Sequence, residues 1–260
     1  MKTCKIIVLS ICLILSVSGC SSEKKALDNA KPKTELIVSA AISLTDVLEE
    51  IRFVFEEAHN VKLTFNLGGS GKLATQIQQG APVDVFISAN MNYMDTLEDE
   101  NLILSPTREV IAGNKIVLIT GKSSDIYYKS LDEISADDIN QIAIGNPESV
   151  PAGKYTEQIL RNLDKWHELK SKIILAKDAR QVLTYVETGN VDIGFVYESD
   201  ALVSDKITVL ATADTSLHNS ILYPVAVLTS TKHEKEATSF VKFLNSHQAQ
   251  AILTNNGLRK

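Results

Sequence analysis

The sequence predicts an α/β protein with two lobes. Short apolar segments of strand character alternate along most of the chain with helical segments of about ten to fifteen residues, a pattern typical of parallel sheets. Roughly six strands fall on each side of a middle section, and no internal repeat or low-complexity run interrupts them. The length of 260 residues, with 44% of them hydrophobic, is enough for two lobes of modest size.

The amino-terminal residues predict an export signal rather than a part of the fold. Two lysines precede an apolar segment, residues 6–17, that is too short for a transmembrane helix. Val17-Ser18-Gly19-Cys20 follows, and small residues before a cysteine resemble the lipobox of bacterial lipoproteins. We therefore expect residues 1–19 to be a lipoprotein signal peptide, Cys20 to carry a lipid anchor at the cell membrane, and residues 20–34 to be a flexible tether.

Charge and cysteine content further limit the class of protein to which this chain can belong. The net charge is −6 and lysines and arginines are not clustered, which argues against a nucleic-acid binder. Cys4 and Cys12 lie in the segment expected to be removed, so the exported chain would contain no disulfide. A chain of this size can bury enough apolar surface to fold without one.

The first half of the body contains strands and helices in regular alternation. Residues 36–40 are a short apolar segment of strand type, and apolar positions then recur at helical spacing from Leu44 to Ala58. Gly80 and Pro82 end the next helical segment. The strands predicted in this half are 36–40, 61–67, 83–88, a short one at 110 and 115–121, and the helices are 44–58, 73–79 and 91–100.

The second half continues the same alternation. Its predicted strands are 142–145, 172–176, 191–197, 207–211 and 221–229, and its helices are 152–163, 180–188, 234–245 and 248–253. In sheets of this type a ligand binds at the carboxyl ends of the strands, near the helix N-termini that follow them.

No motif of this chain predicts catalysis, a metal centre or a cofactor. The five histidines lack metal-ligand spacing, and the nucleophile-elbow, zinc-protease and paired-cysteine motifs are missing. The glycine-rich turn at 68–72 is not a nucleotide phosphate loop, because Leu73 stands where a Ser or Thr would bind magnesium. We therefore expect no enzyme activity and no cofactor.

Four helix starts could instead hold an anion. Free backbone N–H groups and the helix dipole favour negative charge at an N-terminus. Ser70 is predicted to cap its helix, while Ser43 with an acid three residues later matches a capping box, which leaves open whether it caps or binds. Pro151 is expected at the start of a third helix, and Asp178 is expected to cap a fourth.

A tyrosine ends one buried strand. Tyr197 follows the apolar run from Val191, where its hydroxyl could point into a cleft or its ring could simply pack in the core. Together, the helix starts and this hydroxyl would offer an anion neutral donors only.

Five segments resemble one family, the periplasmic molybdate-binding proteins of ABC transporters, in order and spacing from Leu36 to Leu258. The block Gly80-Ala81-Pro82-Val83-Asp84-Val85-Phe86-Ile87-Ser88-Ala89 is specific to this branch of solute-binding proteins. The matching segments are AAISLTDVLEEI (40–51), GGSGKLATQIQQGAPVDVFISAN (68–90), GNPESVPAGKY (145–155), DARQVLTYVETGNVDIGFVYESDA (178–201) and YPVAVL (223–228).

The resemblance implies a two-lobed fold of the type 2 periplasmic-binding-protein class with two crossovers between the lobes. One lobe would comprise residues 35–112 plus 224–260, and the other residues 113–223. It also implies that the chain captures molybdate, and tungstate, as a monomer and delivers the ion to a membrane permease. The implied oxyanion contacts are Ser43, Ser70, Ala152, Ala179 and Tyr197.

Two other functions stay open on the sequence alone. The first is a binding protein for another tetrahedral oxyanion such as sulfate. The second is an exported enzyme on the same fold, for which Asp178 and Glu148 are the nearest candidate acids or bases, although both are more typical of a cap and a loop.

Overall fold

The computed structural model describes residues 33–260, which form two five-stranded sheets with helices packed against them. The predicted signal peptide and Cys20 lie outside the described residues. The strands are β1 (Thr34–Ala41), β2 (Val61–Gly68), β3 (Val85–Ile87), β4 (Glu109–Gly113), β5 (Ile116–Gly121), β6 (Ile142–Gly145), β7 (Ile173–Ala176), β8 (Ile193–Tyr197), β9 (Ile207–Thr212) and β10 (Leu222–Val227). The helices are α1 (Thr45–Ala58), α2 (Ser70–Gln78), α3 (Met91–Asp99), α4 (Pro151–Asn162), α5 (Trp166–Leu169), α6 (Ala179–Glu187), α7 (Glu198–Leu202), α8 (Glu234–Leu244) and α9 (His247–Asn255).

The two sheets have the same plan. The strand order is β2-β1-β3-β10-β4 in the first sheet and β7-β6-β8-β5-β9 in the second. In each, three neighbouring strands are parallel, whereas β10 and β5 run antiparallel to both of their neighbours. The two-lobed α/β prediction is confirmed.

The prediction of parallel sheets is wrong for one strand in each sheet. β5 and β10 are the strands that the chain enters after passing from one sheet to the other. Hydrophobic periodicity indicates that such a strand is buried, but it contains no information about the strand's direction. The short helices α5 and α7 were also not predicted, since four or five residues show too little periodicity.

The chain passes from the first sheet to the second through Asn114 and Lys115, and returns through residues 213–221. The boundaries of the two lobes stay a prediction.

The helices pack on both sheets through apolar faces. Phe55 of α1, for example, packs against Phe240 of α8 with ring centroids 5.1 Å apart.

Burial explains why these segments form central strands. The three residues of β3 are fully buried, and the alternate residues Leu36, Val38 and Ala40 of β1 are also fully buried. The parallel strands of each sheet end at its carboxyl edge. Every residue predicted to contact the ligand lies in a segment that follows one of them, except Tyr197, which is the last residue of β8.

Candidate functional site

One small cavity lies where the ends of β1, β2 and β8 meet the segments that follow β1, β2, β3, β6 and β7. Its volume is about 10 Å³, room for at most about one water molecule. An ion with four oxygens is larger, so the lining segments must move apart to admit one. The lining residues are Ala41, Ile42, Ser43, Gly68, Gly69, Ser70, Ala89, Val150, Pro151, Ala152, Ala179 and Tyr197.

The structure brings all five predicted contact residues to this cavity, and none of the lining residues is charged. A cavity with this lining can offer an anion hydroxyl groups and backbone amides.

In the part of the chain that the structure describes, no group of three or more His, Cys, Asp or Glu residues could hold a metal ion. No helix within residues 33–260 is long and apolar enough to span a membrane.

Ser70 is the first residue of α2 and is fully buried. The prediction that it caps this helix is wrong, because the cap position is Gly69 and no side chain bonds there. Instead, the Ser70 Oγ accepts a hydrogen bond of 3.0 Å from the backbone N–H of Ala89. Since this bond uses a lone pair of Oγ, the hydroxyl hydrogen is left to donate.

Ser43 lies in a short 3-10 turn, Ile42–Leu44, between β1 and α1. The capping-box interpretation is wrong, because Leu44 occupies the cap position of α1 and no side chain bonds to that end. The Ser43 Oγ lies 3.1 Å from the hydroxyl oxygen of Tyr223, a residue that sequence reasoning did not select.

Ala152 and Ala179 reach the cavity through helix N-termini. α4 begins at Pro151, and α6 begins at Ala179 with the Asp178 side chain as its cap, so both predicted starts are confirmed. N–H groups in the first turn of a helix have no acceptor within that helix. The start of α4 lies very close to β6, because a Cβ on Gly153 would be 1.9 Å from the Gly145 carbonyl oxygen.

Tyr197, the last residue of β8, has a buried hydroxyl without a hydrogen-bond partner among the described residues. Burial raises the pKa of Tyr197 well above its ordinary value, so the hydroxyl keeps its proton near neutral pH. A buried polar group left unpaired costs about 1–3 kcal/mol, which is typical of a site that a ligand completes.

Several hydrogen bonds beside the cavity join the half of the molecule built on the first sheet to the half built on the second. The Gly71 N–H donates to the Ser149 carbonyl over 3.1 Å. The Tyr93 hydroxyl donates to the Glu148 carbonyl over 3.3 Å, and Asn90 Nδ2 donates to the Tyr155 hydroxyl over 3.0 Å. The glycine-rich turn is therefore needed for close contact, since a Cβ on Gly71 would lie 2.8 Å from Ser149 O.

Arg180 forms an ionic contact between the same halves. It bonds to the Asp46 carboxylate of α1, and its Nε lies 2.9 Å from Oδ1 of the buried Asp200. The Arg180–Asp200 contact is a pairing of charges, since it lacks the alignment of a hydrogen bond. Arg180 is distinguished only by its charge and by its contacts with residues distant along the chain. No local sequence signal could therefore have identified it.

Comparison with known proteins decides the family. Residues 36–259 match the family described as bacterial extracellular solute-binding protein. The chain belongs to this family. The solute-binding protein is 40% identical over 257 residues to "Putative ABC transporter substrate-binding lipoprotein YvgL" of Bacillus subtilis, and the match covers 98% of each chain. It is 34% identical over 227 residues to the molybdate-binding protein ModA of Escherichia coli, covering 86% of this chain and 88% of the other.

A solved structure supports the fold of this solute-binding protein. The periplasmic molybdate-binding protein of Azotobacter vinelandii superimposes with a TM-score of 0.78 at 23% identity, covering 86% of this chain and 99% of the other.

Proposed function

We propose that this solute-binding protein captures molybdate, and tungstate, in the cavity between its lobes and delivers the ion to an ABC transporter permease. The observation that carries this proposal is a small cavity whose polar lining consists of neutral groups: two serine hydroxyls, one tyrosine hydroxyl without a described partner, and the amides at two helix N-termini. The relatedness to molybdate-binding proteins supports the same ligand.

The donor set suits a dianion without ion pairing. Molybdate and tungstate carry no proton at neutral pH, so each oxygen can only accept hydrogen bonds. Hydrogen bonds to a charged group contribute about 1.5–3 kcal/mol each, and several of them together offset the loss of the ion's hydration. The contact residues would be Ser43, Ser70, Ala152, Ala179 and Tyr197.

The lobes would close on the ion as two rigid bodies. We assign residues 35–112 plus 224–260 to one lobe and residues 113–223 to the other. The contacts of Gly71, Tyr93 and Asn90 across the cleft support closure, because each joins a segment of one assigned lobe to a segment of the other. The permease would recognise this closed form.

Membrane attachment through Cys20 is part of the proposal. Cys20 lies outside the described residues, and the support comes from its lipobox-like context and from the relative described as a lipoprotein. Mass spectrometry of the membrane-extracted protein should detect acyl chains on Cys20, and Cys20→Ala should release the protein from the membrane. An unmodified, membrane-free wild type would contradict the anchor.

A sulfate-binding protein is the second candidate. Sulfate has the same charge as molybdate but is smaller, so a donor-lined cavity can select between them only by size. An enzyme has weaker support, because Asp178 caps α6 and Glu148 contacts Tyr93 through its backbone, and neither belongs to the cavity lining.

Calorimetric titration of the purified protein with molybdate, tungstate, sulfate and phosphate tests the proposal. We expect tight binding of molybdate and tungstate, weaker binding of sulfate and little binding of phosphate. Phosphate keeps a proton near neutral pH, and a hydroxyl that accepts this proton can no longer donate to the ion, at a cost of about 1–3 kcal/mol. Tight sulfate binding without a molybdate signal would overturn the proposal.

A further inference from the structure

Tyr223, in β10, is fully buried and contacts the candidate site from behind. Its hydroxyl oxygen lies 3.1 Å from the Ser43 Oγ and 3.0 Å from the Asn114 side-chain nitrogen. Tyr223 is not among the residues that line the cavity. Its hydroxyl therefore acts on a ligand through Ser43, whereas its ring packs against that of Tyr197 with centroids 6.0 Å apart, a contact that Tyr223→Phe would keep.

The orientation of the Asn114 amide is fixed by its neighbours. The backbone N–H of Lys115 donates to Asn114 Oδ1 over 2.8 Å, and an N–H can only face an acceptor. The other side of the amide is consequently the NH₂ group, which donates to the Ser199 Oγ over 2.8 Å and to the Tyr223 hydroxyl. Asn114 lies where the chain passes from the first sheet to the second.

These contacts impose one direction on a chain of hydrogen bonds. The NH₂ group of Asn114 only donates, so the Tyr223 oxygen accepts from it and directs its own hydrogen to the Ser43 Oγ. Burial raises the pKa of Tyr223, so this hydrogen stays in place near neutral pH. The Ser43 Oγ then accepts from Tyr223, and the Ser43 hydrogen is left for the cavity.

We propose that Asn114 and Tyr223 are specificity-determining residues, because they force Ser43 to donate and so make the site reject oxyanions that keep a proton. This inference rests on the proposed function, since it requires that an oxyanion occupies the cavity. Ser70 is polarised in the same way by the Ala89 N–H. The two serines thus offer hydrogens to a ligand, and either could accept from a protonated oxygen only by turning its own hydrogen away from the ion, which leaves that hydrogen unpaired.

Selenate and arsenate are the probes for this inference. At mildly alkaline pH both are tetrahedral dianions of similar size, but only arsenate still keeps a proton. Their affinities are measured by displacement of bound molybdate, and the ratio of selenate to arsenate affinity is the readout. A substitution that only perturbs the structure of the site, or that adds a charge to it, changes both affinities by a similar factor and leaves this ratio unchanged.

Tyr223→Phe removes the hydrogen that Ser43 accepts. We expect wild type to bind selenate more tightly than arsenate, and the ratio of the two affinities to fall about tenfold in the variant, because the Ser43 hydroxyl is no longer held as a donor and can turn to accept the arsenate proton. Tyr155→Phe is the matched control, since Tyr155 is also buried and accepts from an asparagine, Asn90, but has no contact with Ser43 or Ser70. Loss of its contact across the cleft changes both affinities together, so its ratio should equal that of wild type.

Asn114→Asp reverses the direction of the chain. A carboxylate at this position accepts the Tyr223 hydrogen, so Tyr223 accepts from Ser43 and Ser43 no longer donates to the cavity. We expect the affinity ratio to fall at least as far as in Tyr223→Phe. In the double variant N114D/Y223F, the ratio should equal that of Tyr223→Phe alone, because the substitution at position 114 then has no Tyr223 hydroxyl through which to act on Ser43.

The outcomes separate the two proposals. A wild type that does not prefer selenate, or an unchanged ratio in both single variants, overturns the role of Asn114 and Tyr223 while molybdate still binds. A wild type that does not bind molybdate overturns the proposed function instead.

Discussion

A buried hydroxyl without a partner is the most informative single feature of the site. Tyr197 is 2% exposed, and its hydroxyl contacts neither a described protein acceptor nor a described donor. The fold tolerates this cost at the carboxyl end of β8, next to the start of α6, where a bound ion would satisfy the hydroxyl.

Tyr197→Phe should therefore separate binding from stability. Removal of an unpaired buried hydroxyl should leave the melting temperature of the ligand-free protein unchanged or raise it by a few degrees. The affinity for molybdate should fall at least about tenfold, because a hydrogen bond to a charged ligand is lost. Thermal unfolding without ligand and calorimetric titration measure the two effects.

Tyr155→Phe provides the contrast for stability. The Tyr155 hydroxyl accepts a hydrogen bond from Asn90, so its removal leaves a buried amide with an unpaired N–H and should lower the melting temperature. If Tyr197→Phe lowered the melting temperature as much as Tyr155→Phe and left molybdate affinity intact, Tyr197 would be a structural residue.

At the scale of elements, the start of α2 determines how closely the two halves of the cleft approach. Gly71 donates its N–H to Ser149 O, and no side chain fits between the two backbones. Within a helix, however, alanine is more favourable than glycine by about 0.5–1 kcal/mol. The glycine is thus unfavourable for α2 alone and necessary for the closed cleft.

Gly71→Ala should weaken ligand binding without lowering the stability of the ligand-free protein. The added Cβ would lie 2.8 Å from Ser149 O in the closed cleft, and overpacking of this kind costs about 1–3 kcal/mol. We expect about tenfold weaker molybdate binding by calorimetry and an equal or higher melting temperature without ligand. Lys72→Ala, an exposed neighbour in the same turn, is the control and should bind like wild type. Wild-type affinity in Gly71→Ala would show that the cleft does not need this contact.

Sequence patterns predicted the elements well where the signal is local. The starts of α4 and α6 followed from Pro151 and Asp178, whose effects lie within their own helices. Ser43 and Ser70 were misassigned as caps because their hydroxyls bond to Tyr223 and to Ala89, which are 180 and 19 residues away along the chain. The antiparallel direction of β5 and β10 depends in the same way on pairing that no local window contains.

At the scale of the whole molecule, a buried carboxyl takes part in the ionic contact between the lobes. Asp200 is fully buried in α7 and faces Arg180, which also bonds to Asp46. Burial raises the pKa of Asp200 to about 6, although the Arg180 charge partly opposes this shift. The folded protein therefore holds a proton between about pH 4 and pH 6 that the unfolded chain releases.

Asp200→Asn should reveal this proton as a pH-dependent difference in stability. Because the folded-state pKa is raised, the contribution of Asp200 to the free energy of unfolding falls as pH rises from about 4 to 6. Relative to wild type, the variant should gain roughly 3 kcal/mol between pH 4 and pH 7. Urea unfolding of both ligand-free proteins across this range measures the gain, and a pH-independent difference would contradict the raised pKa.

The position of β10 in the first sheet has a consequence for the order of folding. β10 lies between β3 and β4, but more than a hundred residues, including all of the second sheet, separate it from β4 along the chain. The second sheet is built from one continuous segment, Ile116–Thr212, and can form as soon as that segment is available. The first sheet must wait for residues that are synthesised and exported later, and until then β3 and β4 have unpaired edges. A chain halted before Leu222 would therefore contain one complete sheet and one that is open to aggregation.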